Sequence, residues 1–278
     1  MDNLKAIASQ VRRDILRMVH AVNSGHPGGS LGCADLFVYL YFERLSFSPQ
    51  NFEMNGENED LFFLSNGHIS PVWYSVLARA GFFEVNELST FRKISSRLQG
   101  HPSVDKNLPG IRMASGSLGQ GLSVAIGAAL SKKLAGDRCR VYCLMGDGEL
   151  QEGQVWEAAM YAGHKSVNNL VAIVDYNNRQ IDGDVSNVMG VMPLADKWSA
   201  FGWNVYEMDG HDFDDMRRVF TQIDNEPNQN KPRVIIMKTE MGMGVDFMMG
   251  THKWHGSAPN DEQLQTALLQ LEETLGDY

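Results

Sequence analysis

Hydrophobic and polar positions divide the chain into segments of two different periods. Leu4, Ile7, Val11, Ile15, Met18 and Val22 recur at spacings of three and four, which predicts an amphipathic helix. Asn23-Ser24-Gly25-His26-Pro27-Gly28-Gly29 ends it, because glycines and proline cannot carry the helical ladder onward. A second helix is expected from about Leu31 to Leu45, apolar on much of its surface and therefore buried. Leu61–Leu64 reads as a short core strand stopping at Ser65-Asn66-Gly67-His68, and Pro71 opens a helix that reaches about Ala80. Two further apolar runs, Val141–Met145 and Leu170–Val174, flank a helical pattern carried by Val155, Ala158, Ala159 and Ala162. That is a βαβ unit with parallel strands. Between them and the first strand, the helix after Gly121 is rich in small residues (Val124, Ala125, Gly127, Ala128, Ala129), so a close neighbour is expected on it.

The pattern continues with a strand at Trp203–Met208, a helix near Phe213–Ile223 and a strand at Val234–Met237. A Gly- and Met-rich loop over 241–256 follows, then a closing helix carrying Leu264, Ala267, Leu268, Leu271 and Leu275. No linker interrupts this order. The expected architecture is one α/β domain over residues 1–278, with about five parallel strands flanked by helices.

Composition narrows the class. A chain of 278 residues, 43% hydrophobic and 21% charged, can bury a sizeable core. The net charge of −10 disfavours a nucleic-acid partner, which needs a basic face. No run approaches the roughly twenty apolar residues required to span a bilayer. Lys5, Arg12, Arg13, Asp14 and Arg17 interrupt any secretory core near the start. Three sparse cysteines, Cys33, Cys139 and Cys143, fit a reducing compartment, with the last two expected in a buried strand. Cytoplasmic location without membrane association is therefore the expectation.

The candidate chemistry sits where apolar runs stop. Gly146-Asp147-Gly148 ends one strand of the βαβ unit and Asp175-Tyr176-Asn177 ends the other. In open α/β sheets ligands bind beyond such carboxyl ends. An acid and an amide delivered there can hold a hard cation against a phosphate, and Gly148 lets backbone N–H groups approach the anion. Gly-Asp-Gly alone also describes a tight turn; the second strand end is what sharpens it. Histidines flanked by glycine recur at element ends: His26, His68, His101 and, in the last loop, His255. Their placement predicts convergence on one crevice, where imidazoles could orient a hydroxylated substrate and move protons near neutral pH. Zinc is disfavoured because no pair has the short spacing of a zinc cluster. His20, His164, His211 and His252 carry no such signal. Gly116-Ser117-Leu118-Gly119-Gln120-Gly121 has its two-residue gap first, unlike a dinucleotide fingerprint, and no Gly-Lys-Ser/Thr loop occurs.

Taken together, the motifs resemble those of the transketolase family. Gly146-Asp147-Gly148 with Asn177 is similar to the thiamine diphosphate (ThDP) signature, and Glu149-Leu-Gln-Glu-Gly153 narrows it. Ser24-Gly-His-Pro-Gly-Gly-Ser-Leu-Gly32 resembles the family's N-terminal motif, with Ser30 where proline is frequent. Leu64-Ser-Asn-Gly-His-Ile-Ser70, Gly100-His-Pro102, Gly116-Ser-Leu-Gly-Gln-Gly121 and Trp254-His-Gly-Ser-Ala-Pro259 follow in family order.

The resemblance implies the diphosphate-binding (PP-domain) fold, ThDP, and Mg²⁺, or Ca²⁺ or Mn²⁺ in its place. Metal ligands would be Asp147, Asn177 and the main-chain carbonyl of Arg179. His68, Gly116, Leu118, Gly146, Gly148 and Glu149 would join Asp147 and Asn177 around the cofactor. His26, His101 and His255 would contact the sugar, and Glu152 would relay protons between two active sites. The implied reaction moves a two-carbon ketol unit from a ketose, expected to be phosphorylated or otherwise anionic, to an aldose. The pyrimidine-binding half of the family is missing, which implies a separate C-terminal subunit carrying that domain, in an α₂β₂ assembly. Met241, Met243, Met248 and Met249 are expected on the surface facing it. The α subunit of a 2-oxoacid dehydrogenase and a non-catalytic ThDP-fold module are the alternatives.

Overall fold

A computed structural model describes residues 2–226 and 230–278. Along the chain the strands are β1 (Leu61–Leu64), β2 (Val141–Gly146), β3 (Leu170–Tyr176), β4 (Arg179–Gln180), β5 (Gly183–Asp184), β6 (Asn204–Asp209) and β7 (Arg233–Lys238). The helices are α1 (Asp2–Ala21), α2 (Pro27–Gly32), α3 (Ala34–Tyr39), α4 (Ser70–Arg79), α5 (Gly121–Ala135) and α6 (Gly153–His164), then α7 (Val185–Val188), α8 (Leu194–Ala200), α9 (Phe213–Asp224) and α10 (Asp261–Gln270). Five strands pair in parallel in the order β1-β2-β3-β7-β6, and β4 with β5 forms a separate antiparallel hairpin.

The period-2 geometry of the strands sorts their side chains into two cores. Tyr142, Leu144, Val171, Ile173, Ile235 and Met237 face α1, α3, α4, α9 and α10, while Val141, Cys143, Met145, Ala172 and Val174 face α5, α6 and α8. Both faces of the central strands are therefore covered, as a parallel sheet requires. α9 shows how one sequence pattern gives one face: Phe213, Met216, Val219, Phe220 and Ile223 are buried at helical spacing. Asp212 starts that helix by accepting from the N–H groups of Asp214 and Asp215, a cap that contributes about 1 kcal/mol.

Five sequence expectations change. The glycine stretch after α1 does not stay a loop, because α2 begins at Pro27 and contains Gly28 and Gly29. These glycines serve close approach. A Cβ on Gly28 would lie 2.7 Å from the Met241 side chain, and one on Gly32 would lie 2.9 Å from the Glu240 carbonyl oxygen. The long helix expected to Leu45 is accordingly split into α2, α3 and a π-helical turn, Leu40–Arg44. The closing helix stops at Gln270 and Leu271 is extended. Arg13 reaches the carbonyls of Leu268 and Leu271, both at 2.8 Å, so a side chain from α1 caps this end and draws the tail back across α1. Finally, Met241 and Met248 are internal, with 1% and 0% exposure, so the expected methionine-rich partner surface is not formed by these two. Cys139 also lies outside the strand, before β2. Among the described residues no helix is long and apolar enough to cross a membrane.

Candidate active site

The site is built at the carboxyl ends of β2 and β3. Gly146 pairs in register with Asp175, so Asp147 leaves β2 beside Asp175, and Asn177 leaves β3 just beyond it. The buried Asp147 accepts from the N–H of Gly148 (2.8 Å, Oδ1) and of Asn178 (2.5 Å, Oδ2). Burial and the neighbouring Asp175 carboxylate nevertheless push its pKa up to about 7. Asn177 is fixed at both ends: Nδ2 donates to Asp175 at 2.9 Å, and Oδ1 accepts from the Arg179 N–H at 2.8 Å. Asp175 in turn accepts from Thr239 Oγ1, and burial raises its pKa as well. The arrangement offers hard oxygen donors from a carboxylate, a carboxamide and adjacent main chain. A divalent cation there would offset the crowding of Asp147 and Asp175. Among the described residues no group of three His, Cys or acidic side chains forms an alternative metal cage. The Arg179 side chain is taken up elsewhere, pairing with Asp184 across the hairpin and donating to the Gly250 carbonyl at 3.3 Å.

Glu149 lines the same cleft, yet its oxygens are engaged by the protein. It accepts from Ser65 Oγ, from the Gly119 N–H at 2.8 Å and from the Gly146 N–H at 3.1 Å. Ser65 also accepts from the Gly121 N–H at 3.0 Å. This buried acid therefore ties the loop Gly116–Gly119 to the end of β2, which holds Leu118 in the wall of the cleft. Gly116 has φ +137°, and a Cβ there would sit 3.0 Å from the His101 ring, so the loop and the histidine pack only because the side chain is absent.

Opposite this acidic end, the four histidines converge. Ring centroids of His26 lie 5.0 Å from His68, 5.7 Å from His255 and 6.3 Å from His101, and His68 lies 5.1 Å from His255. Burial, with His255, Arg92 and His101 nearby, pulls His26 down to about 4. Burial likewise lowers His68, His101 and His255 from their ordinary value. At neutral pH the cluster is a set of uncharged imidazoles, each able to donate and to accept. Nδ1 of His26 and of His255 are buried without a partner, as are Asn66 Oδ1 and Ser115 Oγ. Orphaned buried polar atoms are rare in folded proteins, and a concentration of them around one cleft marks a place where a ligand completes the hydrogen bonding.

The cleft measures about 180 Å³, and its lining includes His68, Leu118, Asp147, Glu152, Asn177 and His255. Glu152 is exposed at the start of α6. Sequence reading passed over Asn66, Gln151, Gln180 and Ile181, which also line it. Asn66 stood inside a strand-end motif already singled out, whereas the hairpin residues follow no period. A larger cleft of about 440 Å³ lies at the ends of β6 and β7. Its charges close on one another, Lys238 with Glu207 and Arg218 with Asp215, so the chemistry is assigned to the smaller cleft. His20 and His211, set aside in the sequence, are satisfied by Asp261 and Asp35, both at ion-pair distance.

Comparison with known proteins places this geometry. Residues 4–273 match the family described as transketolase, thiamine diphosphate binding domain. One subunit of the apulose-4-phosphate transketolase of Phocaeicola vulgatus is 36% identical over 275 residues, 99% of this chain and 96% of the relative. A 6-deoxy-6-sulfo-D-fructose transketolase subunit from a Clostridium species is 36% identical over 270 residues, 97% of this chain and 96% of that protein. Human transketolase is 38% identical over 255 residues, but these make up only 39% of its length. Among solved structures, transketolase from Campylobacter jejuni superposes with a TM-score of 0.89 at 33% identity, covering 98% of this chain and 43% of that one.

Proposed function

The chain belongs to the transketolase family, and from that premise we propose that it is the cofactor-binding subunit of a two-subunit ketol transferase. The carrying observation is the pairing of a buried corner where Asp147 and Asp175 crowd each other with a cluster of neutral histidines across one cleft. Asp147, Asn177 and the Arg179 carbonyl would hold Mg²⁺. The Gly148 N–H and His68 would meet the diphosphate, and Gly116 and Leu118 would lie against the aminopyrimidine. The donor set fits: carboxylate and amide oxygens suit a hard cation, and uncharged backbone donors suit a polyanion on a chain of net charge −10. When bound, ThDP supplies the electron sink that lets the ketose C2–C3 bond break.

The protein's own share is binding and orientation. His26 and His255, each with an unpartnered Nδ1, are placed to take sugar hydroxyls, and His101 stands at the open side. Their lowered proton affinity keeps them neutral during turnover, so each can give a hydrogen bond from one nitrogen and accept at the other. Glu152 serves proton relay toward a second site.

The partner is a C-terminal subunit carrying the pyrimidine-binding domain, in an α₂β₂ assembly, and the 278 residues act as one domain in a cytoplasmic enzyme. Two features support a partner. The chain spans about two fifths of single-chain relatives. Val124, Leu134, Met160 and Tyr161 of α5 and α6 are exposed, beside a groove of about 370 Å³ lined by Gly127, Leu130 and Glu157. Of the small residues of α5, Ala125 and Ala129 are covered as expected, whereas Val124 and Gly127 are left exposed. The test is a coupled ketol-transfer assay with and without the partner. Turnover only in the mixture supports the reading, and substantial turnover by this chain alone removes it.

A further inference from the structure

The scheme above uses the carbonyl of Arg179 and leaves its side chain without a role. The guanidinium pairs with Asp184 across the β4–β5 hairpin, and its Nη2 donates to the Gly250 carbonyl at 3.3 Å. Gly250 belongs to the loop that carries His255, and its φ of +71° is a backbone state that most side chains avoid. The N–H of the same glycine donates to Glu240 Oε1 at 2.7 Å. Glu240 is anchored in turn: its own N–H donates to His211 Nε2 at 2.8 Å, and His211 Nδ1 lies 2.9 Å from Asp35. Arg12 holds Asp35 with two hydrogen bonds, at 2.6 and 3.0 Å. One loop residue is thus gripped by its N–H from the end of β7 and by its C=O from the hairpin.

The hairpin meets the loop again just past His255. A Cβ on Gly256 would lie 3.2 Å from Ile181 Cδ1 and 3.6 Å from His26 Nε2, so the bare glycine lets the loop close onto both. His255 therefore lies between two points of contact with the hairpin. From Gly250 the chain enters a tight turn, His252–Trp254, capped by Thr251, and the His255 N–H donates back to the His252 carbonyl at 2.9 Å. Trp254 ties this turn to the rest of the loop, its Nε1 donating to the Phe247 carbonyl at 3.0 Å. The hairpin also reaches the cofactor end: Gln180 accepts from Gln151 Nε2 at 2.7 Å, and a Cβ on Gly148 would stand 3.4 Å from its Cβ. At 22% and 31% side-chain exposure, the Arg179–Asp184 pair adds little stability of its own. Its effect is to hold the guanidinium in one place.

We propose that Arg179 is a positioning residue for His255: its guanidinium, steadied by Asp184, pins Gly250 and so sets how far the imidazole reaches into the sugar end of the cleft. The role rests on the ketol-transfer reading of that cleft. His255 Nδ1 has no partner within the protein, so the direction of the ring depends on the backbone held to either side of it. Small displacements of a group that orients substrate are costly, which makes such a hold worth having. The carbonyl of Arg179 would serve the cation and its side chain serves the sugar loop, so a single residue joins the two ends of the site.

The experiment compares wild type, Arg179→Met, Arg179→Lys and Asp184→Asn, alone and combined with His255→Ala, each assembled with its partner. Arg179→Met should lower kcat/KM for the ketose about 2- to 13-fold, the range of one hydrogen bond. Lysine keeps a charged donor and should recover part of the loss. Asp184→Asn leaves residue 179 intact and loosens only its tether, so its loss should be the smaller. In the His255→Ala background, Arg179→Met should cost less than about twofold more, because a residue that acts through His255 has nothing left to position. Fully additive losses in the double variant would overturn the proposal in favour of a general structural role. A second arm needs no turnover: the ring protons of His255 and the exchange of the Gly250 amide are followed by NMR in the purified chain. Arg179→Met should shift the His255 ring signals and speed Gly250 exchange about 10-fold, while the His20 ring signals stay in place. That result supports the positioning role even if the assembled enzyme transfers no ketol unit and the functional reading falls. A His255 spectrum in Arg179→Met identical to that of wild type overturns it, whatever the kinetics.

Discussion

The two ends of this molecule treat buried charge in opposite ways. Along the seam between α1, α4 and the C-terminal tail, charges are matched. Asp14 accepts from Arg79 at 2.9 and 3.0 Å and from Ser75 at 2.8 Å, and Arg13 makes a two-pronged pair with Asp277. Gln10 adds a hydrogen bond to Asp277 at 2.9 Å and accepts from the Thr274 and Leu275 N–H groups. At the carboxyl ends of β2 and β3 the reverse holds: two acids crowd each other, and His26, His255, Asn66 and Ser115 carry unpartnered atoms. Matched charge ties chain ends together. Unmatched charge lowers stability locally, and it persists where a ligand supplies the missing half.

Substitutions at the two ends should therefore separate stability from binding. The largest effect is expected at the seam. Arg79→Leu leaves the fully buried Asp14 unpaired and should lower unfolding free energy by about 3 kcal/mol, read by urea denaturation. The figure is at the low end for a broken buried pair because burial already raises Asp14, so the orphaned carboxyl can protonate. ThDP affinity of the folded, assembled variant should be unchanged.

Next comes Asp147→Ala. It removes a charged ligand of the proposed cation and should weaken ThDP binding at limiting Mg²⁺ by about 100-fold or more, since even supporting residues of metal sites cost 10–100-fold. Calorimetry on the assembled enzyme measures it, and normal affinity would remove the metal assignment. The apo-chain should lose no stability, because the crowding with Asp175 is relieved.

Smaller effects are expected at the histidines. Single alanine variants of His26, His101 and His255 should each lose about 0.5–1.5 kcal/mol of sugar binding or transition-state stabilisation, a roughly 2- to 13-fold loss in kcat/KM. Their ThDP affinity should hold. Poor ThDP binding with normal sugar kinetics at saturation would reverse the assignment.

The most diagnostic effect is in the pH dependence of apo-chain stability. His26 titrates near 6.5 when unfolded and near 4 when folded. Its contribution is present above about 6.5 and is lost as pH falls toward 4. Asp147 has the opposite sign: with a folded value near 7 against 3.8, its contribution is most favourable below 3.8 and is lost as pH rises toward 7. His26→Asn should therefore flatten the acid limb, and Asp147→Asn should steepen it. Two variants with identical profiles would contradict this account of the cleft.

Much of this was legible in residue order. Both strands of the βαβ unit, Asp147 and Asn177 at their ends, and the gathering of His26, His68, His101 and His255 follow from apolar runs stopping at glycine, acid, amide or histidine. Where reading failed, a contact distant in sequence had replaced a local rule. Gly28 looks like a helix breaker but is a helical residue under Met241, and Leu275 fits a helical period that Arg13 has already ended.

The sequence by itself determined the order of elements, the two-sided burial of the sheet and the residue types at the strand ends, because periodicity and turn chemistry are local properties. Only the tertiary structure decided which polar groups are satisfied. Nothing in Glu149 or His255 as letters says that one has its oxygens bound by Ser65, Gly119 and Gly146 while the other keeps a buried nitrogen without a partner. Burial and hydrogen-bond matching are set by partners far along the chain, and it is that matching which separates the charges that hold this fold from those left open for a ligand.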